Sequence, residues 1–410
     1  MIPFERALSL VLDAAGPLRV ERVPLLDADG RFTAAPLRAR AQMPRYDQSA
    51  MDGFAVRLVD VRGAVPGSPS ELALDGDLPA GSRRRPTLRP GRTIKVFTGS
   101  PLPRGTEAVV MREYTRQRGD KIFFERGASR EENIRRRGEE YNRGDLLLDR
   151  GAAVGPAAIG LLAGFGYERV PVFARPSITL VTIGDELVRL GRPLKPGMIY
   201  NSNEFSLTAA LRRIGCGRIR AVTVRDDPNA LRRRLARGLR ESDVVLAAGG
   251  ASVGDYDFVR PVAESLGIDE RFRAIAVKPG KPVFFGTWRA PGRGAGTRLF
   301  FGLPGNAVSA LVSLHQLVRP ALRKMMGDSG LSELSLTAEL TEGCSKRHGR
   351  LQLMRGRLAA VDGRLLVSPE ARQGSHMMGG MAGADCLIHF PAGRQRLEAG
   401  ESVKVGLISW

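Results

Sequence analysis

The sequence predicts a multidomain α/β plus β protein, in which a mainly parallel α/β domain follows a β-rich segment and precedes a small C-terminal β-barrel. Three observations carry this reading. The 410 residues exceed what one hydrophobic core comfortably holds. Between Val244 and Asn306, apolar runs end repeatedly in small-residue turns, in VVLAAGGASVGDYDF, VKPGKPVFFG and LFFGLPGN. Loops at the carboxyl ends of strands in an open α/β sheet have this composition and form its ligand crevice. Finally, strand-like and helix-like runs alternate from Ser177, and the helical period fades beyond Gly327.

The N-terminal segment MIPFERALSLVLDAAG places Phe4, Ala7, Leu8, Val11 and Leu12 at helical spacing, with Pro3 suited to a first turn. It reads as an amphipathic structural helix rather than a secretory leader, because it holds internal charges and lacks a basic start. Residues 44–144 are rich in Gly and Pro, with short runs TIKVFTG, AVVMREY and KIFFER, which predicts a small β-rich domain. The stretch GAAVGPAAIGLLAGFGYERVPVFARP reads as a small-residue helix and then a strand. We assign residues 1–43 and 145–175 to one discontinuous N-terminal domain around that β domain.

Residues 176–327 form the α/β domain. SITLVTIG is a buried strand, NEFSLTAALRRIG a helix stopping at Gly215, RIRAVTVRDD a strand, NALRRRLARGLRES a basic helix and DVVLAAGG a strand. The run AVSALVSLHQLVRPALRKMMG reads as one closing apolar helix. Residues 328–410 carry the strand-like runs LTAEL, GRLAAV, GRLLVSP, DCLIHF and ESVKVGLI, as in a small barrel.

Composition removes several function classes. Cys216, Cys344 and Cys386 show neither CxxC spacing nor a disulfide framework, which suits a reducing cytoplasm. His315, His348, His376 and His389 lack zinc-ligand spacing. No apolar run approaches the ~18 residues of a membrane span, so no membrane partner is expected. The net charge of +20 raises nucleic acid as a partner. With only 6% aromatics, dispersed basic runs and no nucleic-acid-binding motif, a solvated surface and a basic ligand cleft are the expectation instead.

The candidate chemistry lies in loops. Gly249, Gly250, Ser252 and Gly254 follow a strand, where exposed amides and a hydroxyl can cradle phosphate, yet they match neither the Walker nor the dinucleotide pattern. Lys278 and Lys281, in Lys-Pro-Gly-Lys-Pro, form a restrained pair whose mutual repulsion an anion relieves. Glu186, Asp226, Asp227, Asp255 and Asp257 fall at or beyond strand ends, where several carboxylates can meet as magnesium ligands. Each acid also has a bland reading as a cap or turn residue, and Asp227 before Pro228 suits an N-cap. In the β-rich domain, the turns SAMDGFAV, FTGSPLP and NIRRRGEE read by themselves as ordinary loops.

Taken together these segments resemble the molybdopterin molybdenumtransferase family, which includes the C-terminal domain of gephyrin. The resemblance runs through MPRYDQSAMDGFAV, FTGSPLPRGTEAVV, NIRRRGEE, TIGDEL, IYNSN, RDDP, GGASVGDYDF, KPGKPVFFG, GLPGNAVSA and QGSHMM, in the family's order. It implies an elongated four-domain subunit with a molybdopterin-adenylyltransferase-like parallel α/β domain, and a homodimer whose active site lies between subunits. The implied reaction inserts molybdate into adenylylated molybdopterin and releases AMP and molybdenum cofactor with Mg2+. Molybdopterin adenylyltransferase and recipient molybdoenzymes are then the implied partners.

Motif matching implies catalytic roles for Asp52, Thr98, Glu186, Asp227, Asp257 and Lys278, with Glu186, Asp227 and Asp257 holding metal. Gly249, Gly250, Ser252, Gly254, Lys278, Lys281, Pro304, Arg137 and Glu140 are the implied substrate-binding residues. Glu140 and Ala307 depart from the family's usual aspartate and proline, and Glu107 stands where aspartate is common. Two other readings stay open at this point. One is a non-catalytic molybdopterin-binding scaffold on the same fold, and the other is an ATP-consuming adenylyltransferase.

Overall fold

The structure is a computed structural model that describes residues 1–250, 258–289, 296–330 and 335–410. These fall into two compact units. One comprises residues 1–35, 150–159 and 168–410, and the other residues 36–149 and 160–167.

The first unit holds the α/β sheet. Its elements are β1 (Ile178–Ile183), α1 (Ser202–Ile214), β2 (Ile219–Val224), α2 (Pro228–Glu241), β3 (Val244–Ala248), α3 (Val259–Ser265), β4 (Asp269–Phe272), β5 (Phe284–Arg289), β6 (Thr297–Leu303) and α4 (Ala307–Ser313). The strand order is β2-β1-β3-β6-β5-β4. The first four strands are parallel, and β5 runs antiparallel to both of its neighbours, β6 and β4. Every residue of β1 and β3 is buried, as expected for unbroken apolar runs sandwiched between layers.

Local chemistry sets the helix ends. Asn201 caps α1 by accepting from the Glu204 amide at 3.2 Å, and Gly215 ends it in the left-handed region at φ 99°. Asp227 caps α2, which opens on Pro228 at its first turn. Along α2, Leu231, Leu235 and Leu239 are buried while Arg232, Arg233, Arg237 and Arg240 stay exposed. Gly238 allows this helix to press on the sheet, because a Cβ there would lie 2.9 Å from Thr179 Cγ2.

The single helix expected over residues 307–327 is instead interrupted by a π turn at Leu314–Val318, before a further helix at Arg319–Met325. Pro320 lacks the N–H that an α-helical register would direct at Gln316, so the wider turn absorbs the mismatch. The N-terminal helix, Phe4–Ala14, buries Phe4, Ala7 and Val11 in the same core. The strand Val20–Pro24 pairs antiparallel with Arg169–Phe173, which closes the discontinuous segment.

The C-terminal region is a closed barrel. Leu351–Val361, Arg364–Pro369, Ser335–Leu340, Ser402–Leu407 and Cys386–Phe390 pair in that order, and the last returns to the first. Its interior includes Leu340, Val367, Ile388, Phe390 and Val405. The short strand Val277–Lys278 adds to Leu351–Gln352.

The second unit contains a six-stranded sheet in the order Ala108–Met111, Gly53–Val56, Arg92–Val96, Ser70–Leu78, Lys121–Phe124 and Thr115–Arg118. Phe54, Val110, Ile122 and Phe124 form part of its core.

Leu235 is fully buried between α2 and the sheet. Leu235→Ala should therefore destabilise the α/β module by about 2–5 kcal/mol through lost burial and a residual cavity. A urea transition shifted to lower midpoint, monitored by circular dichroism, checks this.

Candidate active site

The chain passes from β1 through α1 to β2 on one side, then returns through α2 to β3 on the other side of β1. The connections therefore diverge between β1 and β3, and their carboxyl ends leave an open crevice. A cleft of about 580 Å³ occupies this position. Glu186 follows β1, Asp226 follows β2, Gly249 and Gly250 follow β3, and Pro304 and Asn306 follow β6; all line the cleft.

Gly249 is needed where it stands. Its φ is +95°, and a Cβ would lie 2.4 Å from the carbonyl oxygen of Ile183. The β6 turn lies against it, since a Cβ on Gly305 would approach the Gly249 Cα at 3.6 Å. Two glycine-bearing turns thus bring bare backbone to the cleft floor, which suits close approach by a phosphate or oxyanion.

A buried polar network fixes the wall. Asn201 is only 3% exposed, and its Nδ2 donates to Thr182 Oγ1 at 2.8 Å, Thr223 Oγ1 at 3.0 Å and Glu204 Oε2 at 3.1 Å. This ties the ends of β1 and β2 to the start of α1. Asn203 Nδ2 donates to the Gly305 carbonyl at 2.7 Å and joins α1 to the β6 turn. Asp226 Oδ2 accepts from the Asp185 amide at 3.0 Å.

The sequence-predicted residues divide as follows. Glu186, Gly249, Gly250 and Pro304 meet in the cleft. Asp227 does not line it; its Oδ1 accepts from the Asn229 amide at 2.9 Å as the cap of α2. Lys278 and Lys281 are exposed outside the lining, although Pro282 beside them belongs to it. Ser252, Gly254 and Asp257 lie outside the described residues. Among the described residues, no group of three His, Cys, Asp or Glu converges as a metal cage.

Asp52, Thr98, Arg137 and Glu140 belong to the second unit. The SAMDG and FTGS turns are stitched together by Ser49 N–H to the Ser100 carbonyl at 3.0 Å and Gly99 N–H to the Ser49 carbonyl at 2.9 Å. This places Asp52 Oδ1 within reach of both the Thr98 amide, at 2.8 Å, and the Thr98 hydroxyl, at 3.0 Å. Those two donors, helped by Arg112 and Lys95, hold the exposed Asp52 carboxyl below the usual carboxylate range.

A second acid organises the NIRRRGEE segment. Asp47 accepts from the Arg137 amide at 2.8 Å and from Arg136 Nη1 at 2.6 Å. Burial pushes the Asp47 carboxyl up, but these bonds and both arginine charges bring it below its ordinary value. Glu140 is exposed beside a cavity of about 580 Å³ lined also by Met43, Tyr46 and Arg135. Glu107 accepts from the Leu58 amide at 2.9 Å.

Sequence reasoning passed over Asn201, Asn203, Asp47 and His376 as individual functional residues. The Asn-x-x-Glu spacing of Asn201 and Glu204 is a capping signal that could have found the first. Burial pushes the Cys216 and Cys386 thiols up to about 12, which disfavours the thiolate that nucleophilic chemistry needs.

Asp52 should keep its charge as pH falls through the normal carboxylate range, because its native pKa is depressed. Thr98→Val removes the hydroxyl donor and should move the Asp52 titration to higher pH. Carboxyl NMR titration of both proteins checks this, and an unmoved midpoint contradicts the assigned role of Thr98.

Comparison with known proteins agrees with this architecture along the whole chain. Residues 2–166 match the profile of the MoeA N-terminal region (domain I and II), residues 179–324 a probable molybdopterin binding domain, and residues 337–408 the MoeA C-terminal region (domain IV). The molybdopterin molybdenumtransferase of a Nostoc species is 33% identical, with 94% of this chain and 88% of that protein covered. The enzyme of the same name from Haemophilus influenzae is 32% identical, with 99% and 98% covered. The crystal structure of the molybdopterin biosynthesis moeA protein from Pyrococcus horikoshii OT3 superposes with a TM-score of 0.82 at 26% identity, covering 99% of this chain and 100% of that one. The chain is a transferase that belongs to the molybdopterin molybdenumtransferase family, the enzymes of molybdenum cofactor biosynthesis.

Proposed function

We propose that this protein inserts molybdate into adenylylated molybdopterin, with Mg2+-dependent release of AMP and molybdenum cofactor. The observation that carries the reading is the cleft at the β1/β3 divergence, where the Gly249–Gly250 backbone lies among the carboxylates Glu186 and Asp226. A phosphoanhydride ligand needs amide donors at its oxygens and charge neutralisation during cleavage.

The residues present suit magnesium, which favours hard oxygen ligands and keeps several waters while using only one or two carboxylates. Glu186 and Asp226 would hold it, with Asp257 as a further candidate. When bound, the ion neutralises charge on the phosphate oxygens as the anhydride breaks. Lys278 and Lys281, exposed and without a carboxylate partner among the described residues, are suited to attract molybdate.

We further propose a homodimer in which Asp52, Thr98, Arg137 and Glu140 of one subunit act on the ligand held in the cleft of the other. Molybdopterin adenylyltransferase would supply the substrate in the cytoplasm, and recipient molybdoenzymes would take the product. No helix among the described residues is long and apolar enough to cross a membrane.

The test is AMP release from adenylylated molybdopterin with and without molybdate and Mg2+. Release should require both, and Glu186→Gln should slow it on the order of a hundredfold. An equimolar mixture of Asp52→Asn and Glu186→Gln proteins, refolded together, should recover activity that neither shows alone. Tight ligand binding without AMP release would favour the scaffold reading instead, and ATP consumption would favour an adenylyltransferase.

A further inference from the structure

The cleft is not built by the α/β sheet alone. His376 and Met378, from the loop after barrel strand Arg364–Pro369, complete its lining. This loop is fastened at both ends of its short course. Ser375 accepts from Asn306 Nδ2 through its hydroxyl at 3.3 Å and from the Val308 amide through its carbonyl at 3.2 Å.

From beneath, the fully buried Arg355 donates through Nη2 to the carbonyls of Arg372 and Gly374. Gln373 closes the clamp by exchanging hydrogen bonds with the Arg355 backbone, at 3.0 and 2.8 Å, and by donating to the Glu370 carbonyl at 2.8 Å. Burying a guanidinium is costly, and the buried Nε and Nη1 of Arg355 have no partner among the described residues, so the two loop carbonyls at Nη2 are the acceptors that hold it and tie the barrel to this loop. The exposed His376 is the titratable side chain that this loop delivers to the cleft.

The charge on the cleft wall makes that delivery informative. Among the described lining residues, the carboxylates are Glu186 and Asp226, and there is no lysine or arginine. An anionic ligand entering here meets two negative side chains, and the cationic side chains of the KPGKP turn stand outside. Imidazole is the one side chain among the described lining residues that can carry positive charge, and it keeps at least one N–H donor in either protonation state.

We propose that His376 contacts substrate, donating a ring N–H to an anionic oxygen of the ligand phosphate that lies over Gly249 and Gly250. Arg355 and Gln373 are its positioning residues. The inference rests on the reading of the cleft as the adenylylated-pterin site and adds a recognition residue supplied by the barrel.

The test uses the full-length protein and AMP as probe, with affinity measured by calorimetry and AMP release measured in parallel. His376→Ala should weaken AMP binding about ten- to hundredfold, the usual effect of losing a charge-assisted hydrogen bond. His376→Gln, which retains an N–H donor, should recover a substantial part of that loss, and both variants should melt as the wild type does.

Equal losses in the Ala and Gln variants would overturn the donor role. Wild-type affinity and rate in His376→Ala would overturn the contact itself while leaving the proposed function standing. If the wild type binds neither AMP nor the adenylylated pterin, both readings fall.

Discussion

The constraint on which the site depends is the divergence of the chain on either side of β1. A parallel strand must hand the chain to a crossover, and two crossovers leaving in opposite directions cannot cover the same strand ends. The ends of β1 and β3 are left facing a space that no helix among the described residues fills. Buried strands hold these ends rigidly, since β1 and β3 have no exposed residue. What remains exposed there is backbone, and glycine at position 249 is the residue that permits it.

Polar groups at such a divergence need partners, and the Asn201 network provides them. Its carboxamide joins the two strand-end threonines and Glu204 while its oxygen caps α1. One buried side chain therefore fixes the helix start and both strand ends, the coupling that a preorganised site requires. The barrel is tied in by a similar device, with Arg355 and Ser375 holding its loop against the β6 turn. The Asp52–Thr98 and Asp47–Arg137 pairs show the same economy in the second unit, where loops are ordered by carboxylates that accept backbone N–H bonds.

Much of the fold was legible because its elements announce themselves locally. ITLVTI and VVLAA are unbroken apolar runs, α2 carries leucines every fourth residue, and the barrel strands stand between turn residues. The glycine turns and Glu186 were legible because strand ends in such sheets are where ligands bind. Other features depend on tertiary geometry. Asp227 and Asp226 are adjacent in sequence, but the chain turns one into a helix cap and the other toward the cleft. Lys278 was readable as a restrained cation, yet its pairing with the barrel strand at Gln352 follows from packing between distant segments. His376 lies about seventy residues beyond the α/β sheet (residue 303 to residue 376), and no spacing rule connects them. The π turn before Pro320 is a compromise that helical periodicity cannot express.

The most direct test of the account is where the metal oxyanion sits. Crystals of the protein soaked with molybdate and AMP, measured at a molybdenum absorption edge, would locate it by anomalous scattering. The account predicts a molybdenum peak in the cleft bounded by Gly249, Pro304 and His376, with the AMP phosphate beside it. A peak remote from this cleft, with AMP bound elsewhere, would contradict it.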